Sequence, residues 1–305
     1  MPLFKQDSNK LSIIQEKNID LEKTVQKLTE SNLDNIFSLE FVSTEFALHN
    51  FRIDTLAFDQ ENNSFVIIEY KRDRSFSVID QGYAYLALML NNKADFILEY
   101  NEKTKNSLKR DDVDWSQSKV IFVANSFTSY QMNAINFKDL PIELWEVKMY
   151  DNDVVLYNQL LSQDSKESIK TITKNKTINK VSSEVKVYTL EDHLSIPEDI
   201  KNLFFALREK ILSLSDSVEE RPKQNYVAYR LKNAFAYVHN QQSKIKIHLE
   251  IRKKDLDDPK NMARNVEGIG HHGGGETEVI LNRSEDLNYV FLLIEQAYNR
   301  ISKKS

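Results

Sequence analysis

Two apolar runs, Phe51–Asp59 (FRIDTLAFD) and Ser64–Lys71 (SFVIIEYK), stand four residues apart. Each is rich in β-branched and aromatic residues, which favours strands. The polar QENN between them favours a turn. A loop over Gln60–Asn63 pairs Asp59 with Ser64. Counting outward from that turn sets Asp54 opposite Glu69 and Arg52 opposite Lys71. Side chains alternate along a strand, so Asp54 shares a face with Arg52, and Glu69 with Lys71. Directly opposed residues hold their Cβ atoms about 4.5–5.5 Å apart. A slip of one residue would separate the two acids onto opposite faces.

Two carboxylates that close, beside an apolar core, repel each other unless a cation lies between them. Oxygen-only donors favour a hard ion, Mg²⁺ or Mn²⁺. Lys71 then lies one strand step away, placed to orient a water and stabilise charge on a phosphate. An acid-x-lysine step on a strand is by itself most often an exposed ion pair. Here it has company. Asp54 sits in an apolar strand between Ile53 and Leu56, an expensive place for an unpaired charge. The next segment, VIDQGYAYLALMLNN (Val78–Asn92), reads as a buried helix. It carries Gln81 and Tyr85 one turn apart on one face.

These residues resemble the PD-(D/E)XK nuclease superfamily, in its RecB-like and NucS-like endonuclease branch. RID followed by VIIEYK resembles the core motif, and Gln81-x-x-x-Tyr85 the helix motif; the likeness runs from about Leu21 to Leu156. The resemblance implies an α/β restriction-endonuclease-like core, αβββαβ with a mixed sheet. It also implies divalent-metal hydrolysis of phosphodiester bonds in nucleic acid, DNA before RNA, in repair or defence against foreign DNA. Asp54 and Glu69 would be the metal ligands and Lys71 the catalytic lysine. Gln81 and Tyr85 would steady the site. Family members often add a glutamate, for which Glu40 and Glu45 compete, Glu45 slightly ahead. Arg52, Arg72 and Arg74 are expected on the nucleic acid. The superfamily also holds inactive members, so the rival expectation is a nuclease fold kept as a binding or adaptor module.

Residues 1–161 read as this domain. Residues 162–186 are polar, with lysines at 166, 170, 174, 176, 180 and 186 and no sustained apolar period. They read as a linker, or as a basic tether to phosphates. Residues 187–305 read as a smaller α+β domain, with amphipathic helices at EDIKNLFFALREKILSL and EDLNYVFLLIEQAYNRI. It resembles a domain family of unknown function found behind nuclease and restriction-like domains. Its oddest stretch is GIGHHGGGETEV (Gly268–Val279). This is first a structural loop. In its functional reading, His271 or His272 and backbone N–H groups grip a phosphate or base.

Composition narrows the classes further. The 305 residues carry a net charge of −5 and no cysteine. Disulfides and thiolate metal sites are thereby excluded, and coating nucleic acid by bulk charge is disfavoured. The opening MPLFKQDSNK lacks an apolar signal core, and no run is long enough for a membrane span. The expectation is a cytoplasmic protein off the membrane, with a homodimer left open.

Overall fold

The computed structural model describes residues 3–17, 22–71, 77–137, 139–161, 167–169 and 175–303. They divide into two compact units, Met1–Val187 and Tyr188–Ser305.

The first unit opens with β1 (Leu3–Asp7), β2 (Lys10–Ile14), β3 (Glu16–Lys17), α1 (Glu22–Glu30) and α2 (Leu33–Phe37). Three strands follow, β4 (Glu40–Leu48), β5 (Phe51–Asp59) and β6 (Ser64–Lys71). Then come α3 (Val78–Asn91), α4 (Lys93–Thr104), β7 (Lys119–Ala124) and α5 (Ser129–Ala134). The unit closes with β8 (Ile142–Tyr150), β9 (Val155–Leu160) and α6 (Lys176–Glu184). Strands β1 and β2 make a separate hairpin. The others form a mixed sheet ordered β3–β8–β7–β6–β5–β4, with β9 also on β8. Neighbours β4, β5 and β6 are antiparallel, whereas β7 runs parallel to β6 and β8 parallel to β7.

The centre of this sheet is covered on both sides, which is why β6 reads as an almost unbroken apolar run. Phe65, Ile67 and Phe122 pack with Leu86 and Met89 of α3 and Phe96 of α4. Val66, Ile68, Tyr70 and Val123 pack on the other side with Val25 and Leu33. Each fully buried side chain of this size contributes about 1.5–3 kcal/mol. Helix α3 starts at Ser77, whose Oγ accepts the Asp80 N–H at 3.3 Å; such a cap contributes about 1 kcal/mol.

The stretch expected as a linker is in part structure. Ile178 and Val181 of α6, with Ile169 and Val185, are buried in the same core as α3. Tyr83 and Ser182 hydroxyls meet at 3.2 Å, and Lys93 pairs with Glu184 at 3.1 Å. A nine-residue helix shows too few turns for its apolar stripe to stand out from the lysines around it. Lys180 of the expected tether is bonded to Asn91 Oδ1 at 2.9 Å. Lys166, Lys170 and Lys174 lie outside the described residues. Helix α4 and the β1–β2 hairpin also had no counterpart in the sequence reading.

The second unit contains α7 (Glu198–Leu212), β10 (Glu219–Pro222), β11 (Val227–Arg230), β12 (Ala234–Asn240) and β13 (Ile245–Leu249). It ends with β14 (Ala263–Asn265), β15 (Thr277–Leu281) and α8 (Leu287–Ser302). The strands form an antiparallel sheet ordered β10–β11–β12–β13–β15–β14. Phe204 and Leu207 of α7 and Leu293 and Ile294 of α8 pack with Tyr229, Val238, Ile247 and Val279. Period-two alternation puts His239, His248 and Glu278 on the opposite face. Among the described residues, no helix is long and apolar enough to cross a membrane.

Candidate active site

The β5–β6 ladder runs from Asp59↔Ser64 to Thr55↔Ile68, the register expected from the four-residue turn. One step further along, Asp54 and Glu69 come together. The Asp54 Oδ2 accepts the Tyr70 backbone N–H at 3.0 Å. Glu69 is 5% exposed. Its Oε1 receives Lys71 Nζ at 2.9 Å and lies 3.5 Å from Gln81 Nε2. Gln81 Nε2 is also 3.5 Å from the Tyr85 hydroxyl. Helix α3 can present Gln81 and Tyr85 this closely because Gly82 lies against β8: a Cβ there would collide with the Ile142 side chain.

The electrostatics follow from burial. Loss of water, with repulsion from Asp54 added, pushes the Glu69 carboxyl up from 4.5 to about 7, against the pull of Lys71. Burial also raises Asp54, opposed by the Tyr70 N–H and Lys71 and reinforced by Glu45. Burial first, then the charge of Glu69, raises the Tyr85 hydroxyl. The second oxygen of Glu69, Oε2, is buried with no hydrogen-bond partner among the described residues. An orphaned carboxylate oxygen is costly in a native protein and asks for a partner.

Two carboxylates, one with a bare oxygen, suit a hard divalent ion. Among the described residues, no group of three or more histidine or acidic side chains could hold a metal. Asp54 and Glu69 are the residues that could hold such an ion, since Mg²⁺ takes one or two carboxylates and keeps several waters.

The two candidate third acids separate. Glu45 lies between Thr44 and Phe46, whose partners Thr55 and Ile53 flank Asp54. Its backbone is left-handed (φ 53°), and its carboxylate pairs with Arg52 Nε at 2.8 Å. Glu40 sits at the far end of β4 and accepts from Gln60 and the Tyr100 hydroxyl, each at 3.0 Å. Arg72 and Arg74 lie outside the described residues.

In the second unit, His271 turns both ring nitrogens to its own loop, Nδ1 2.8 Å from the Ile269 carbonyl and Nε2 3.1 Å from that of Gly274. Its ring lies against His248, centroids 4.0 Å apart, while His272 is exposed. The adjacent histidines therefore face different ways. The sequence reading missed the cluster beneath them. His239 Nε2 and His248 Nδ1 are 3.1 Å apart, and His248 Nε2 is 3.2 Å from Glu278 Oε2. Burial, then His248, pushes His239 down to about 3. Two histidines on one face of adjacent strands, opposite the helix-packed core, were the available signal.

A protein of Haemophilus influenzae described as an "Uncharacterized protein" is 44% identical over 299 residues, covering 97% of this chain and 99% of its own. This chain belongs to that protein's family. Residues 190–300 also match a domain of unknown function, DUF5655. Among solved structures, a repair endonuclease from Pyrococcus abyssi is 16% identical over 39% of this chain and 43% of its own, with a TM-score of 0.22. An EndoMS–dsDNA complex is 17% identical over 47% and 49%, with a TM-score of 0.24. Pyrococcus furiosus SfsA in complex with Ca²⁺ is 14% identical over 51% and 68%, with a TM-score of 0.26. The first two matches span less than half of the structures they touch. At these scores the likenesses decide nothing about this chain.

Proposed function

We propose that the first unit is a divalent-metal-dependent nuclease of the PD-(D/E)XK type, acting on DNA, with the second unit tuning where it acts. The observation that carries this reading is the bare Oε2 of buried Glu69, beside Asp54 and on the same strand face as Lys71. The mixed sheet, in which antiparallel β4–β5–β6 adjoins parallel β7, supports this reading at the level of fold class.

Asp54 and Glu69 would hold Mg²⁺ or Mn²⁺, which when bound supplies Lewis acidity and a more acidic water. The chain's own residues do the rest. Lys71, now tied to Glu69, is one strand step from the acids and can carry its positive charge to a phosphate oxygen. Gln81 restrains the Glu69 carboxylate by its contact to Oε1 and itself leans on the Tyr85 hydroxyl. Arg52, largely exposed and paired with Glu45, can exchange that partner for a backbone phosphate. The absence of cysteine suits a reducing cytoplasm. The test is cleavage of single- and double-stranded DNA and RNA with Mn²⁺, then with EDTA. EDTA-sensitive cleavage lost in Asp54→Asn supports the proposal. Cleavage that persists in that variant places the chemistry elsewhere.

A further inference from the structure

Asp54 is held from behind. The β5–β6 ladder stops at Thr55, and the β4–β5 ladder passes from Thr44↔Thr55 to Phe46↔Ile53, so neither includes Asp54. The left-handed backbone of Glu45 lies at that same break. Asp54 stays in register opposite Glu45, but neither ladder pairs it, so its peptide could turn about the strand axis and carry its carboxylate away from Glu69.

A side chain from the opposite face of the sheet fills the gap. Gln26 of α1 is 8% exposed. Its Nε2 lies 2.9 Å from the Asp54 carbonyl oxygen, 3.1 Å from Thr44 Oγ1 and 3.0 Å from Glu30 Oε1. Glu30 is in turn fixed by the Thr55 hydroxyl at 2.6 Å. The amide thus reaches Thr44 on β4 and Asp54 on β5, on either side of the interruption. It satisfies a carbonyl that the ladders leave out. Asp54 is then gripped twice: its carbonyl from the α1 side, and its carboxylate by the Tyr70 N–H at 3.0 Å.

We infer that Gln26 is a positioning residue, which fixes the rotation of the Asp54 peptide and so aims the Asp54 carboxylate at Glu69. The inference rests on the reading of Asp54 as a metal ligand, yet the grip itself exists in the metal-free chain. A merely structural Gln26 would only dock α1 on the sheet. Thr29 gives the contrast. It is fully buried on the same helix, and its hydroxyl donates to the Val25 carbonyl at 2.7 Å and meets the Tyr157 hydroxyl at 2.9 Å.

The experiment compares full-length wild type, Gln26→Met and Thr29→Val by amide hydrogen exchange without metal and by Mn²⁺ titration. The exchange readout is the rate of the Tyr70 amide relative to that of Ile68 on the same strand. The expected result for Gln26→Met is a ratio raised on the order of ten-fold, with Thr29→Val within about two-fold of wild type. Mn²⁺ affinity should fall about 10–100-fold in Gln26→Met alone, as for other outer-sphere partners of metal ligands. An unchanged ratio in Gln26→Met, or an equal rise in Thr29→Val, overturns the inference. If wild type takes up no Mn²⁺, the metal reading fails, and the Tyr70 ratio still decides whether Gln26 orients Asp54. Should Gln26→Met not fold, Gln26→Asn, with its donor one methylene short, is read the same way.

Discussion

Each unit buries a glutamate on a strand. Glu69 is 5% exposed and Glu278 3%. Glu278 is completed by its own chain: Arg264 Nε donates to Oε1 at 2.6 Å, and His248 Nε2 and Lys246 Nζ lie 3.2 and 3.4 Å from Oε2. Burial works to raise its pKa, but the bond from Arg264, then His248 and Lys246, outweigh it and bring it from 4.5 to about 2. Glu69 has one cation on one oxygen, none on the other, and a neighbouring acid; it rises to about 7. The difference is one of completion. A buried carboxylate whose lone pairs are all spent holds a fold together, while one left half-satisfied is poised for something that arrives later.

The comparison breaks first on activity. Asp54→Asn and Glu69→Gln should each lower Mn²⁺-dependent cleavage on the order of 10³-fold or more, as loss of a preorganised charge partner does. Glu278→Gln should keep cleavage within about ten-fold if its role is structural. Initial rates on a labelled duplex and a labelled single strand read this, and a Glu278→Gln protein as dead as Glu69→Gln would erase the distinction.

Metal should separate the two next. Mn²⁺ at 100 times its dissociation constant stabilises the native state by about 2.7 kcal/mol. Urea melts should show that gain in wild type and Glu278→Gln, should lose it in Glu69→Gln, and should reverse with EDTA. A gain retained in Glu69→Gln would put the ion elsewhere.

The pH windows run in opposite directions. Glu69 has a folded pKa above its ordinary value, so its stabilising contribution is complete below about 4.5 and is lost as pH rises through about 7. Metal-free Glu69→Gln should therefore be the more stable protein at pH 8, by about 1–2 kcal/mol after the lost Lys71 contact is counted. Glu278 has a depressed pKa, so its contribution is present above about 4.5 and fades as pH falls towards 2. Glu278→Gln should be less stable at pH 7 by about 1–2 kcal/mol, because Arg264 reaches it from solvent. Melts at pH 5 and pH 8 decide the first sign, and melts at pH 7 and pH 3 the second.

The smallest effect belongs to Arg52. If it meets a phosphate, Arg52→Ala should flatten the salt dependence of DNA binding by about 0.7–0.9 log units per log unit of salt. An unchanged slope would confine Arg52 to its pairing with Glu45.

What the sequence disclosed follows from how locally each feature is encoded. The β5–β6 register rests on a four-residue turn and two alternating runs, all within twenty-one residues (Phe51–Lys71). Gln81 and Tyr85 rest on one helical turn. Glu45 could be separated from Glu40 only by the irregular β4–β5 pairing at Phe41/Ser43 and the left-handed turn of Glu45, neither of which has a residue signature here. The Glu278 cluster draws on β12, β13, β14 and β15, so its partners meet only after the sheet is laid out. Helix α6 was hidden because its identity comes from the core it covers rather than from its own propensity.

The parallel pairing of β6 with β7 sets a timetable. Neighbouring β4, β5 and β6 are joined by short turns, whereas Val66 meets Lys119 only after α3 and α4 have been threaded between them. Loops close within about 10–100 ns when they are near ten residues long, and non-local strand pairing is far slower. The strands bearing Asp54 and Glu69 can therefore meet before the edge of β6 has its neighbour. During that interval a long apolar strand with no partner on one side is open to pairing with another chain. Rapid docking of α3, α4 and β7 would shorten that interval.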